Sequence, residues 1–235
     1  MASICVFRRV EKKYIVTTEQ MEMLKKLFAH ILRPDKYEKY TLCNIYYDTK
    51  DSDLIRRSID KPAFKEKMRL RSYGVPTEDQ PVFLEIKRKY DGTVYKRRIE
   101  VSYGEAIAYL EKGDYSGDGQ IFDEIDYFRS IYHVVPKMFI AYDRTAFCGI
   151  NDSSLRLTFD SRIRYRTSEL SLSLGDRGEL LTDPDLHVME IKVNGAMPRE
   201  MADILCEMGI YPSPFSKYGR AYINETKKER LKNNV

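Results

Sequence analysis

Lys67-Met68-Arg69-Leu70-Arg71, Glu85-Ile86-Lys87-Arg88-Lys89 and Lys96-Arg97-Arg98, joined later by Glu190-Ile191-Lys192, carry cationic side chains at alternate positions. On a strand, residues i, i+2 and i+4 share one face, about 7 Å apart per pair. Lys67, Arg69 and Arg71 therefore form a row, while Met68 and Leu70 face the other way. Two unit charges about 7 Å apart at an effective dielectric of about 20 repel by roughly 2 kcal/mol. Several such rows in one sheet require an anion, and a small, highly charged one such as a triphosphate or polyphosphate fits best. An open sheet would hide its apolar face and wet its charged one. A closed antiparallel β-barrel would instead hold the charges and the ligand in its lumen, with helices packed outside. The barrel, an α+β architecture, is the favoured reading.

The chain has 235 residues, 43% of them hydrophobic and 32% charged, with a net charge of only +4. The basicity is concentrated. Lys61 to Arg98 holds eleven basic and five acidic residues, a local charge of +6, which leaves the remainder slightly acidic. This favours a local anion site over a broad duplex-binding surface, whose basicity would be global. Cys5, Cys43, Cys148 and Cys206 are scattered and form no CxxC pair, so zinc and redox motifs are not expected and a reducing, cytoplasmic setting is. No apolar run approaches the roughly 20 residues of a membrane span.

The reading along the chain is of a single domain over residues 1–225 and a polar, frayed tail over 226–235. Strands are expected at Cys5–Val16, Thr41–Asp48, Phe64–Tyr73, Val82–Tyr90, Thr93–Val101, Lys137–Gly149, Leu155–Tyr165 and Leu186–Val193. Asp91-Gly92 is a hairpin turn signal. Thr17 with Gln20, and Ser102 with Glu105, are candidate capping boxes. The first opens a helix whose apolar stripe is Met21, Leu24, Leu27, Phe28, Ile31 and Leu32. Short helices are expected at Ser52–Ser58, up to Lys112, at Phe122–Tyr132, after Pro198 as a first helical residue, and at Phe215–Asn224.

Alternating Lys and Arg also suit the wet face of an amphipathic strand. Several strands with the same habit, each also bearing Glu, favour the phosphate reading, because Arg forks bind phosphate oxygens bidentately and Lys acts as a point charge. Glu11, Glu85 and Glu190 each precede a lysine (Lys13, Lys87, Lys192) by two residues. They are either local ion pairs or ligands of Mg²⁺ or Mn²⁺, which take one or two carboxylates plus phosphate oxygens and water. The metal reading is strongest for Glu190, a lone carboxylate in an apolar strand. Arg144 and Arg156 lie among apolar neighbours and either pair with Asp143 or Asp160 or meet substrate. Lys217 falls where a loop enters a helix, a place that favours anions. His30, His133 and His187 match no metal or triad spacing, and neither a Walker A loop nor a kinase motif set occurs.

These motifs resemble the triphosphate tunnel metalloenzymes and, more narrowly, the polyphosphate polymerase domain of the vacuolar transporter chaperone (VTC) family. The resemblance runs from Arg9 to about Asn224. It rests on an ordered set: Arg9-Val10-Glu11-Lys12-Lys13-Tyr14, Lys67 to Gly74, Phe83-Leu84-Glu85-Ile86-Lys87, Lys96-Arg97-Arg98, Asp143-Arg144-Thr145-Ala146-Phe147, Arg156 with Asp160, Glu190-Ile191-Lys192 and Phe215-Ser216-Lys217-Tyr218. It implies an eight-stranded antiparallel tunnel that transfers the γ-phosphoryl of ATP to a growing polyphosphate chain, releasing ADP, with Mn²⁺ or Mg²⁺. Lys13, Lys67, Arg69, Arg71, Lys87, Lys96, Arg98, Arg144 and Arg156 would bind substrate, Glu190 with Glu85 and Glu11 would hold metal, and Lys217 would act at the transfer point. Pro214 stands where some members have a second lysine, and Lys67 replaces a neutral residue or His. The implied partners are ATP and polyphosphate or triphosphate, with no nucleic acid. A separate membrane protein could hold the domain at the inner face of a membrane. A tunnel triphosphatase, a non-catalytic polyphosphate- or inositol-phosphate-binding module and an RNA-binding domain are the competing readings.

Overall fold

The computed structural model describes residues 9–60, 62–91, 93–113 and 119–233. Cys5 and Gly92 lie outside the described residues. In chain order the elements are β1 (Arg9–Thr17), α1 (Thr18–Leu27), β2 (Leu32–Asp48), α2 (Asp53–Ile59), β3 (Phe64–Tyr73), β4 (Pro81–Tyr90), β5 (Thr93–Ser102), α3 (Tyr103–Lys112), α4 (Gln120–Tyr132), β6 (Val135–Gly149), β7 (Arg156–Arg166), β8 (Glu179–Leu180), β9 (Leu186–Asn194), α5 (Arg199–Glu207) and α6 (Lys217–Asn233). The strands pair in the order β1-β9-β7-β6-β2-β3-β4-β5, with the two-residue β8 on β7. This is the expected antiparallel α+β architecture. Among the described residues the ladder ends at β1 and β5, so backbone hydrogen bonds do not close it into a ring.

The chain divides into two compact units. Residues up to Tyr40, with Tyr142–Ile163 and Thr182–Phe215, form the first; Thr41–Ala141, Arg164–Leu181 and the residues from Ser216 form the second. In the first unit, period two sends Tyr14 and Val16, Leu157 and Phe159, and Met189, Ile191 and Val193 to one face. There they meet Met21, Leu24 and Phe28 from α1 and its end, and Met201 and Leu205 from α5. Leu24 and Phe159 are almost wholly buried, each such side chain contributing about 1.5–3 kcal/mol. In the second unit Cys43, Ile45, Met68, Leu70, Leu84 and Ile86 form the apolar face, packed by Ala106 and Tyr109 of α3 and by Phe122, Ile125 and Phe128 of α4. In both units the opposite sheet face carries the charges.

Both capping boxes form. Thr17 Oγ1 accepts from the Gln20 amide at 3.2 Å, and Ser102 Oγ accepts from the Glu105 amide at 3.3 Å. Three boundaries differ from the sequence reading. Helix α1 stops at Leu27 and β2 begins at Leu32, so Phe28, Ile31 and Leu32 lie in the connection and the strand. Pro34 accounts for this, since it drives the preceding residue toward extended backbone. Pro198 is the cap of α5 and not its first residue. Residues 226–233, expected to fray, continue α6, held by Lys228 Nζ to Glu225 Oε1 at 2.9 Å and by Tyr165 Oη donating to the same Glu225 oxygen at 2.8 Å. Among the described residues no helix is long and apolar enough to cross a membrane.

Asp48 sets one further joint. It is fully buried, and its carboxylate accepts the amides of Thr49 (2.8 Å), Leu54 (2.9 Å) and Ile55 (2.9 Å). This satisfies orphan donors at the start of α2. Tyr218 Oη also donates to it at 3.0 Å, which ties α6 to the same point.

Candidate active site

The cationic rows of the second unit assemble by strand register. Tyr46, Arg69, Glu85 and Arg98 stand side by side across β2, β3, β4 and β5. In the next row of that face Asn44 adjoins Arg71, Phe83 and Glu100, and on the other side Lys67, Lys87 and Lys96 stand abreast. Neighbouring strands are about 4.8 Å apart, so three ammonium stems rise from one line of the sheet. Glu85, only 1% exposed, anchors the patch. Arg69 Nε donates to its Oε2 at 2.6 Å, Lys96 Nζ lies 2.6 Å from its Oε1, and Arg71 Nε lies 3.8 Å from Oε2. Arg71 Nε also donates to Asn44 Oδ1 at 2.8 Å, and Arg98 stacks on the Phe83 ring at 4.1 Å.

Burial would push the Glu85 carboxyl up, but Arg69, Arg71 and Lys96 more than reverse this and hold it at about 2. Lys96 moves the other way. Partial desolvation of this half-exposed side chain, with the like charges of Arg69 and Arg71, outweighs Glu85 and brings its ammonium down to about 8. One carboxylate therefore serves three cations, and the patch keeps a positive surplus. Lys67 Nζ donates to Ser216 Oγ at 3.3 Å, and the same oxygen accepts the Gly219 amide at 3.2 Å. Ser216 thus caps the helix whose first residue is Lys217.

The first unit builds a different surface. Antiparallel register sets Glu11 opposite Lys192 and Lys13 opposite Glu190 across β1 and β9, while Thr158 and Arg156 of β7 face Glu190 and Lys192. Lys13 Nζ lies 3.3 Å from Glu11 and 3.9 Å from Glu190; Lys192 Nζ pairs with Glu190 and lies 3.9 Å from Glu11. Lys13 Nζ also donates to the Phe215 carbonyl at 3.3 Å. Burial raises the Glu190 carboxyl, but Lys192, Lys13 and Arg144 hold it at about 2. Arg144 grips Asp160 bidentately at 2.6 and 2.8 Å, and Arg156 pairs with Asp35. Thr158 Oγ1 is buried with no hydrogen-bond partner, directly across from Glu190.

The expected local pairs occur at Glu11–Lys13 and Glu190–Lys192, while Glu85 engages cations of the flanking strands. Arg144 meets one of its two anticipated partners, and Arg156 meets Asp35, which sequence spacing did not offer. Lys13, Glu11, Glu190, Arg144 and Arg156 belong to the first unit; Lys67, Arg69, Arg71, Lys87, Lys96, Arg98, Glu85 and Lys217 belong to the second. Sequence reasoning missed Asn44, Tyr46, Asp35 and Thr158, and left Lys192 as the mere neighbour of Glu190. The signal for Asn44 and Tyr46 was their alternation with Ile45 and Tyr47 on β2, next to the basic β3.

Among the described residues no group of three or more His, Cys, Asp or Glu side chains converges as a metal site. Mg²⁺ and Mn²⁺ do not need one, since one or two carboxylates with phosphate oxygens and water suffice. Glu11 and Glu190, bridged by the same two lysines, with the unpartnered Thr158 hydroxyl opposite Glu190, form an all-oxygen donor set that fits such an ion. Glu85, by contrast, is engaged by three cations, Arg69, Arg71 and Lys96, and has no second carboxylate beside it in its row.

The family model of the VTC domain matches residues 8–224. No curated protein matches the chain. Among solved structures, a candidate adenylate cyclase from Bacillus halodurans aligns with a TM-score of 0.53 at 15% identity, covering 88% of this chain and 93% of its own. A candidate adenylyl cyclase from Hippeastrum, described as having a dominant triphosphatase activity, aligns with a TM-score of 0.50 at 14% identity over 89% of this chain and 93% of its own. At these identities the likeness is one of fold.

Proposed function

The chain belongs to the VTC domain family, and from that premise we propose that it is a polyphosphate polymerase, an ATP–polyphosphate phosphotransferase. A terminal phosphate oxygen of the growing chain forms a new bond to the γ-phosphorus of ATP. The bond from that phosphorus to the β–γ bridging oxygen breaks, and ADP leaves. The acceptor is itself the nucleophile, so no protein nucleophile is needed, and catalysis is positioning and charge neutralisation of a loose transition state. The observation that carries the reading is the single buried Glu85 set against Arg69, Arg71 and Lys96, beside the abreast lysines Lys67, Lys87 and Lys96. That surplus is matched by a phosphate chain, with Arg69, Arg71 and Arg98 as forks and the lysines as point charges.

Lys217, at the start of α6, holds the phosphoryl group near the transfer point. In the first unit Lys13, Arg144 and Arg156 serve phosphate oxygens. Glu11 and Glu190 would hold Mn²⁺ or Mg²⁺, which would supply further positive charge on phosphate oxygens. Glu85 acts on the cations: it fixes the arginine forks in place. ATP and polyphosphate are the partners on this reading.

Purified protein incubated with ATP and Mn²⁺ should release ADP and yield chains that a gel resolves by length. Orthophosphate as the sole new phosphate product would replace this reading with a tunnel triphosphatase, in which water is the acceptor. The triphosphatase activity described for the Hippeastrum fold relative makes that the second reading. Tight, salt-sensitive anion binding with no ADP release would reduce the protein to a polyphosphate-binding module.

A further inference from the structure

Tyr46 stands in the row of Arg69 and Glu85, with only 8% of its surface exposed. Its ring stacks on Tyr218 with centroids 4.7 Å apart, and its hydroxyl oxygen accepts from Arg69 Nη1 at 3.2 Å. A phenol carries one hydrogen to donate as well as lone pairs. Among the described residues no side chain or carbonyl accepts that hydrogen. The charged groups that act on the phenol, Arg69, Arg71 and Lys67, are all donors. The carboxylate in this row, Glu85, is engaged by Arg69, Arg71 and Lys96, and the Tyr218 hydroxyl spends its own hydrogen on Asp48. A nearly buried donor left without an acceptor is costly, and the cations around it favour an acceptor that carries negative charge.

We propose that Tyr46 is a substrate-contacting residue whose hydroxyl donates to a phosphate oxygen while Arg69 holds that hydroxyl in place. The inference rests on the phosphate reading of the second unit and adds a neutral donor to its cations. A neutral hydroxyl tells oxyanions from one another by geometry, which point charges do less well. It also makes binding depend on one proton. Burial alone would raise the phenol, but Arg69, Arg71 and Lys67 bring it down to about 8. Below that value the hydroxyl can donate. Above it the unliganded phenol becomes a phenolate that repels phosphate, so affinity falls as pH rises, and bound phosphate keeps the proton on. The other titratable groups around it are Glu85, Tyr218 and Asp48, with Lys96 on the same sheet face titrating in the same range.

The test is calorimetric titration of tripolyphosphate into the wild-type protein and Tyr46→Phe, at pH values below and above the phenol's, at fixed salt. The ultraviolet absorbance of phenolate is followed with and without tripolyphosphate. The expected result is a loss of affinity of about tenfold in Tyr46→Phe at the lower pH with an unchanged melting temperature. The alkaline fall in affinity should be shallower in Tyr46→Phe, leaving the part due to Lys96. In the wild type one tyrosine should ionise early, and tripolyphosphate should delay it. Should Tyr46→Phe fold poorly, that absorbance shift in the wild type decides. If the wild type binds tripolyphosphate but the variant binds equally well, or the early phenolate is indifferent to the ligand, the role of Tyr46 is overturned and the phosphate reading stands. If the wild type itself does not bind, the phosphate reading falls and this inference with it.

Discussion

The charged sheet faces of the two units share one sequence habit and differ in their balance. In the first, Lys13, Lys192, Arg144 and Arg156 each reach a carboxylate, from Glu11, Glu190, Asp160 and Asp35. In the second, Lys67, Arg69, Arg71, Lys87, Lys96 and Arg98 share a face on which, among the described residues of β3, β4 and β5, the carboxylates are Glu85 and Glu100. The same period-two rule therefore sets opposite charges side by side in one place and like charges side by side in the other. What separates them is the identity of the residue across the ladder: Glu opposite Lys in β1 and β9, Lys opposite Lys in β3, β4 and β5.

That contrast can be broken from either side. The largest effect is expected from Arg69→Ala and Lys217→Ala, which should lower kcat by about 10²–10³-fold each while circular dichroism stays near wild type. Loss of folded structure in both would make these residues scaffolding. Next comes Glu85→Gln. Removing the one buried anion among three cations should cost about 3 kcal/mol of stability in urea unfolding, and saturating tripolyphosphate should restore much of it by mass action. A variant as stable as wild type would mean the surplus is illusory. Glu190→Gln should instead leave tripolyphosphate affinity without metal nearly unchanged and abolish stimulation of turnover by Mn²⁺; retained stimulation would remove Glu190 from the metal set.

Acid should weaken both faces. Glu85 and Glu190 sit at about 2 in the folded protein against an ordinary value of 4.5. Their contribution is complete above 4.5 and is lost as pH falls through about 2, because the unfolded chain takes up protons first. Melting temperature should drop across that window, and the drop should shrink in each Gln variant. The smallest effect belongs to Arg156→Gln. Its pair with Asp35 is open to solvent, so stability should change by less than about 1 kcal/mol in the same urea experiment.

Period two made the faces legible in the sequence because strand geometry fixes which side chains are neighbours two residues apart. The apolar partners Met68 and Leu70, the two capping boxes and the positions of Lys13, Arg69 and Arg144 on strands all follow from local rules. Cross-strand identity does not. That Glu85 serves Arg69 and Lys96, that Asn44 holds Arg71, and that Asp35 takes Arg156 depend on register between segments 11 to 121 residues apart. The end of α1 was misread because Phe28 and Leu32 are buried as a helical stripe would be, yet are buried from a turn and a strand. The tail was misread because its polarity hides the Tyr165–Glu225–Lys228 cluster that keeps it helical.

The joint at Asp48 has a consequence for biosynthesis. The hydrogen bond from Tyr218 closes a loop of 170 residues, and the helix it holds begins with Lys217. While a ribosome is still making the middle of the chain, β2 and α2 are already outside with a carboxylate waiting for its last donor. The second unit cannot complete this hydrogen bond until α6 has emerged. A chain truncated before α6 lacks both Lys217 and the Tyr218 donor to Asp48.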